Sequence, residues 1–296
     1  MDDRSIKIGM NARIFANNWR PLGEEIKFAQ DNGFQSIQVS VRDWRLDQEL
    51  LGDRLDVVAK GLDEANLELA IELVIEIDAK GQTSSGETPL EILKRNIKAI
   101  NILKCKYVHW HLVPLGLASS SDKNGFDEEA IQNLEKLLIP QFFAGVLLSE
   151  KNDIKFGFEH NEPDLILFGK PKSCKMLLDA VPGLKFVWDI NHTVPDHLTE
   201  FQELVTYASI IHVSDTRLPE VNYHLPLGEG TIDFERIAKI LLEKCFFGPA
   251  IFEIGGLLKS GGYGRDTNDA LIESYQRFKK EIDMAKNGAE KSKTAT

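Results

Sequence analysis

Residues 186–192 read FVWDINH, and the fold turns on this stretch. Side chains two apart share a face of a strand, so Val187 and Asp189 point one way while Phe186 and Trp188 point the other. A run of this kind, ending on an inward carboxylate with a histidine three residues later, reads as a strand that finishes at a polar mouth. The neighbouring runs repeat it. KFGFEH (155–160) ends at Glu159, IIHVSDT (210–216) carries His212, and AIFEIG (250–255) carries Glu253. On the same alternation Gly157 and Glu159, Ile210 and His212, and Ile251 and Glu253 face one side. Phe158, Trp188, Val213 and Phe252 are left to pack beneath helices.

Further out, the same β-rich runs recur at Lys7–Asn11, Ser36–Val41, Leu69–Ile75 and Tyr107–Leu112, which with Lys155–Glu159, Phe186–Ile190, Ile210–Ser214 and Ala250–Ile254 makes eight. Amphipathic stretches at about 21–31, 47–65, 88–104, 127–149, 171–180, 197–207, 233–245 and 267–285 follow them in turn. Asn32-Gly33 and Pro182-Gly183 stand where helices should stop, and Thr88-Pro89 and Asp127 where helices should start. Strand–helix alternation repeated eight times predicts an α/β protein, a single-domain (β/α)8 barrel over residues 1–285. Residues 286–296, small and polar, read as a tail that frays.

Composition narrows the function. With 35 Lys+Arg against 46 Asp+Glu the formal net charge is −11, which disfavours a sustained contact with nucleic acid. Cys105, Cys174 and Cys245 form no CxxC pair and leave an odd thiol, so neither a disulfide framework nor a zinc knuckle is suggested. No stretch has the form of a signal peptide or approaches the roughly 18 apolar residues of a membrane span. The expectation is a cytoplasmic protein that binds a small molecule, with no membrane partner; a homo-oligomer is left open.

In a parallel barrel, active sites lie where strands exit at their C-terminal ends. A single acidic residue there is commonly a helix cap or an ion-pair member, but four consecutive strands ending in Glu159, Asp189, His212 and Glu253 form a set. Three carboxylates crowded at one mouth repel one another unless a cation compensates them. These four residues are therefore the candidate metal ligands, for Mn²⁺, Mg²⁺ or Co²⁺, with Zn²⁺ also compatible. Around them lie His192, His109 and His111 in KYVHWHLVP (106–114), His224 in NYHLPLGEGTIDF (222–234), and Arg217 in HVSDTR (212–217) as a cation for a substrate oxygen. His109 and His111 read equally well as core histidines, His160 and His197 as surface or cap residues, and Trp110 and Trp188 as packing. Glu72 and Glu76 are placed near the mouth. GGLLKSGGYG (255–264) is glycine-rich without phosphate-loop spacing and reads as a loop.

In this order, GFEH, VWDINH, IHVSDTR, HLPLGEGTIDF and IFEIG resemble the xylose isomerase-like TIM barrel superfamily, which includes sugar isomerases and epimerases, hydroxypyruvate isomerase, inosose dehydratase and the endonuclease IV type of apurinic-site nuclease. The resemblance is specific from Glu159 to Glu253; before that only the strand–helix rhythm matches. It implies that Glu159, Asp189, His212 and Glu253 ligate the metal and that His192 and Arg217 hold substrate oxygens. As in the epimerase branch, Glu159 and Glu253 would also be the acid/base pair acting through a metal-stabilised enediolate. His224 matches the histidine before Gly-Glu-Gly. The nuclease branch carries an aspartate two residues before that histidine, where this chain has Asn222. The expected function is a divalent-metal-dependent isomerase or epimerase of a sugar or sugar-like, polyhydroxylated ketone. The alternative is an inosose-type dehydratase; less favoured are the abasic-site nuclease and a non-catalytic metal-binding barrel.

Overall fold

A computed structural model describes residues 5–13, 17–42, 44–115, 128–256, 258 and 260–294. Eight parallel strands, β1 (Lys7–Asn11), β2 (Ser36–Val41), β3 (Glu68–Ile77), β4 (Tyr107–Pro114), β5 (Lys155–Glu159), β6 (Lys185–Asp189), β7 (Ala208–Val213) and β8 (Pro249–Phe252), close into a barrel in sequence order. The helices are α1 (Leu22–Asp31), α2 (Gln48–Leu51), α3 (Leu55–Ala65), α4 (Pro89–Ile102), α5 (Glu128–Glu150), α6 (Pro171–Ala180), α7 (Leu198–Leu204), α8 (Phe234–Glu243) and α9 (Asn268–Thr294).

The alternation read from the strands divides the core. Phe158, Trp188, Val213 and Phe252 belong to the large apolar layer between barrel and helices. Val187, Ile210 and Ile251 join Ala70 and Tyr107 in a separate cluster that fills the lumen. That plug closes the barrel below the candidate site, so polar groups above it sit on an apolar base with little access to water.

The helix signals hold where their chemistry is explicit. Thr88 caps α4 in a capping box with Glu91, and Gly33 and Gly183 take φ of 78° and 88° at helix ends. Asp127 lies outside the described residues. Two boundaries differ from the sequence reading. The single helix expected over 47–65 is two, because Gly52 adopts φ 71° after one turn capped by Asp47. The last helix passes Ala285 and runs to Thr294, through the segment expected to fray. That segment has no proline, and its Ala, Glu and Lys residues are strong helix formers.

Candidate metal centre and active site

Glu159, Asp189 and His212 stand at or near the C-terminal ends of β5, β6 and β7, and Glu253 immediately follows β8. Asp189 pairs in register with His212 across β6 and β7, so their side chains emerge side by side. One ligand-type atom from each of these four residues lies within 4.8 Å of all the others. The Nδ1 of His212 is 3.2 Å from Glu159 Oε1 and 3.2 Å from Glu253 Oε2. Both oxygens of Glu159, Oδ2 of Asp189 and Nδ1 of His212 are buried without a hydrogen-bond partner. Orphaned polar atoms on three residues that meet Glu253 in one cluster are costly without a partner, and carboxylate oxygens with an imidazole nitrogen are the donor set that a divalent cation takes. A residue of β2 and the turn after β6 fix two of the ligands. His212 donates from Nε2 to Gln38 Oε1 at 3.0 Å, which leaves its Nδ1 lone pair aimed at the cluster. Asp189 Oδ1 accepts from the backbone N–H of Asn191 at 2.6 Å.

Electrostatics match a site short of positive charge. Burial works to raise Glu159, but His111 and His212 beside it hold its carboxyl well below the ordinary 4.5. Glu253 is likewise pushed up by burial yet drawn down by His212, to about 2. Burial raises Asp189 above 3.8 in spite of His192. Burial disfavours a charged His212, but Glu159 and Glu253 together raise it well above 6.5. The histidines take up protons where a cation would otherwise neutralise the carboxylates.

Above the cluster opens a cavity of about 350 Å³, within the range of small-molecule sites. Glu253, His192, His111 and His224 line it, with Glu72, Asn11, Arg42, Glu162, Asn222 and Ser260 among its polar walls and Val74, Val113, Leu165 and Ile254 among its apolar ones. Glu159, Asp189 and His212 are not among the lining residues; they lie below.

The remaining candidates separate. His192 donates from Nδ1 to the carbonyl of His160 at 3.1 Å and turns Nε2 toward Asp189 Oδ2 at 3.4 Å. His111 bridges Glu72 Oε1 and Asn161 Oδ1 at 3.0 Å each. His109 is buried below the cavity, with Nε2 3.6 Å from Glu159 Oε2, out of reach of a ligand in the cavity. His224 sits between the carbonyl of Glu253 at 2.9 Å and Asn222 Oδ1 at 2.8 Å. Arg217 is exposed and does not line the cavity; Arg42, just past β2, is the arginine that does. Glu72 reaches the cavity, whereas Glu76, four residues further along β3 and on the same face, is exposed. His160, read as a surface or cap residue, is wholly buried, its ring tilted against Phe201 at 4.1 Å and stacked on Phe186 at 5.6 Å. His197 stands at the start of α7 and makes no capping bond with its side chain. Trp110 and Trp188 are core residues, as read. Of the loop after β8, Leu257 and Lys259 lie outside the described residues; Gly262 backs so closely onto the His224 carbonyl that a Cβ would come within 2.0 Å of it.

The sequence reading missed Asn11, Gln38, Ser40, Asn161 and Glu162. The first three lie on β1 and β2; the rule applied to strands five to eight, polar residues at the C-terminal ends of strands, finds Asn11 and Ser40, whereas Gln38 sits in the middle of β2. No helix among the described residues is long and apolar enough to cross a membrane.

No curated protein matches the chain. Among solved structures it is similar to an L-ribulose 3-epimerase, at 16% identity and TM-score 0.70 over 96% of this chain and 97% of that one. It is similar to an IolI protein with a bound zinc atom, at 15% identity and TM-score 0.72 over 95% and 99%. It is also similar to an AP endonuclease of family 2 from Brucella melitensis, at 14% identity and TM-score 0.63 over 88% and 97%. At such identities the likeness is one of fold. The model of one family, however, matches residues 26–281, nearly the whole barrel, and the chain belongs to that family, the xylose isomerase-like TIM barrels.

Proposed function

We propose that the protein is a divalent-metal-dependent isomerase or epimerase of a small sugar or sugar-like hydroxy-ketone, with Glu159, Asp189, His212 and Glu253 as the metal ligands. The observation that carries this reading is the clustering of Glu159, Asp189 and His212, with buried and unpartnered ligand atoms, beside Glu253 directly beneath a cavity of monosaccharide scale. The solved epimerase and the zinc-bearing IolI protein of the same fold support it. A divalent cation held there would polarise a carbonyl and its adjacent hydroxyl and so acidify the neighbouring C–H.

The chain's own groups would do the rest. Glu253 borders the cavity and is kept ionised by His212, so it is the carboxylate in position to take or return a proton. Glu159 approaches from the far side of the cluster as the second member of the pair; being wholly buried, it would act on substrate only at the cavity floor. His192 and His111 offer imidazoles to substrate oxygens, and Arg42 takes the place in the cavity wall that Arg217 was expected to fill. The acidic net charge of −11 and Asn222, in place of a carboxylate, weigh against the nuclease. Two of the three free cysteines are buried, which suits a reducing cytoplasm.

The test is a panel of ketoses and cyclic polyol ketones with chelated protein reloaded with Mn²⁺, Co²⁺, Mg²⁺ or Zn²⁺, read by chromatography and by deuterium entry from solvent. Interconversion of ketoses with deuterium entry is expected. Loss of water from a polyol ketone would move the protein to the dehydratases, and incision of abasic DNA in the absence of sugar turnover would refute the reading.

A further inference from the structure

From β8 to β4 the upper lumen is crossed by an unbroken chain of side-chain contacts. Asn11 Nδ2 donates to Ser40 Oγ at 3.1 Å and approaches Glu253 Oε1 at 3.4 Å. Ser40 donates its hydroxyl to Glu72 Oε2. His111 donates from Nδ1 to Glu72 Oε1 at 3.0 Å, and the same nitrogen lies 3.4 Å from Glu159 Oε2. His111 is held in turn by Asn161 Oδ1, whose amide is anchored on the carbonyls of Leu112 and Leu167.

Glu72 is the hub. It is 1% exposed, and each of its two oxygens serves one arm: Oε2 leads through Ser40 and Asn11 to Glu253, Oε1 through His111 to Glu159. A buried carboxylate in an already acidic site adds repulsion, so its presence calls for a role that an amide could not fill. That role is visible in the donors. Both partners present an H to Glu72, and a carboxylate accepts from both without turning the Ser40 hydroxyl away toward Asn11 Oδ1, its other acceptor at 3.3 Å. We propose that Glu72 is a positioning residue that sets Glu159 and Glu253 in register with each other for metal ligation. The inference rests on the reading of those two glutamates as ligands.

The test uses the full chain, stripped and titrated with Co²⁺, whose visible spectrum reports ligand geometry without any substrate. Glu72→Gln keeps the shape but turns one acceptor into a donor, so either the His111 contact is lost or the Ser40 hydroxyl reverses toward Asn11 Oδ1, and both disturb an arm. Ligand-supporting residues of this kind are commonly worth about 10–100-fold in metal affinity, and that loss, with a shifted cobalt spectrum, is expected. Ser40→Ala cuts one arm at smaller cost to folding and should change affinity and spectrum in the same direction, with melting temperature near wild type. If a ketose substrate is in hand, kcat at saturating metal should fall more than KM rises, since Glu72 acts through the ligands. Wild-type cobalt affinity and spectrum in either folded variant would overturn the proposal. Weakened cobalt binding in protein that turns over no sugar at all would sustain it while refuting the isomerase reading.

Discussion

The imidazole of His212 on β7 donates from Nε2 to Oε1 of Gln38 on β2, 3.0 Å away, so two strands that are not neighbours in the barrel meet across its lumen at the candidate metal centre. This contact fixes the tautomer, and the tautomer decides whether Nδ1 can face Glu159 and Glu253 as a ligand. Replacing Gln38 by Leu frees the ring to rotate. We expect an intact fold by circular dichroism and metal affinity lowered by about 10–100-fold in isothermal titration. Unchanged affinity would mean that His212 is oriented by packing alone.

Glu253 borders the cavity while Glu159 lies beneath it. Glu253→Gln keeps a ligating oxygen and removes the base. The expected result is retained metal with proton exchange between substrate and solvent reduced by about 100-fold or more, the scale of a lost general base. Retained metal with exchange near the wild-type rate would shift the base to Glu159 or His192.

How far the site was legible depends on which strands are considered. On β5 to β8 each ligand is an acidic residue or histidine at a strand end, and period-two alternation is enough to set its direction. On β1 and β2 the functional groups are Asn11, Gln38 and Ser40, residue types that also occur as ordinary strand polar groups, so alternation gives their direction but only the closed barrel shows what they meet, whereas Glu72 on β3 and His111 on β4 are legible from the sequence and line the cavity. Arg217 fails for a related reason. It follows His212 in sequence, but the chain leaves β7 at Asp215, whose backbone pairs with Leu225 and whose carboxylate accepts from Gly228 and Ile232, and this fold-back carries residue 217 outward. His160 was misplaced because a histidine after a strand looks like a loop residue until the ring layer of Phe186 and Phe201 is seen.

Asn222 donates from Nδ2 to Glu162 Oε1 at 2.8 Å and accepts from His224 Nε2 at 2.8 Å, so it locks His224 beside Asp189 and His192 without adding a carboxylate. A second cation there would lack charge compensation. We expect one metal per chain for the wild type and a second equivalent in Asn222→Asp, measured by elemental analysis after gel filtration. Two tightly held ions in the wild type would refute this.

Arg13 and Glu25 form a bidentate ion pair that is almost entirely buried, with Arg13 also reaching Asn268 Oδ1 at 2.6 Å at the start of α9. Burial raises the Glu25 carboxyl, opposed by Arg13. The pair ties the segment after β1 to α1, and the Asn268 contact ties it to α9, so removing one member of the pair strands a charge. Arg13→Met should cost about 3–5 kcal/mol in denaturant unfolding, and a cost below about 1 kcal/mol would show that water reaches the site.

His160 and His111 bend the pH dependence of the metal-stripped protein in opposite directions, with the lowered Glu159 and Glu253 adding to the acid limb and the raised His212 to the alkaline one. Burial, reinforced by the charge of His192, lowers His160 from 6.5 to about 3. Below pH 6.5 the unfolded chain therefore binds a proton that the folded protein refuses, and this contribution to stability is lost as pH falls from 6.5 toward 3. Burial also opposes a charged His111, but Glu159 and Glu72 outweigh it and raise the group to about 10. Its contribution is complete below pH 6.5 and is lost as pH rises toward 10, because the folded state keeps a proton that the unfolded state has released. Each group changes stability by at most about 1.4 kcal/mol per pH unit inside its window. Urea unfolding of the stripped protein should thus give a maximum near pH 6.5. His160→Phe, placed in the ring layer of Phe186 and Phe201, should flatten the acid limb only, and His111→Gln the alkaline limb only. Saturating metal should also flatten the alkaline limb, since a cation beside Glu159 removes the reason for His111 to stay charged. An alkaline limb unchanged in His111→Gln would show that its charge is not what Glu72 and Glu159 hold in the folded protein.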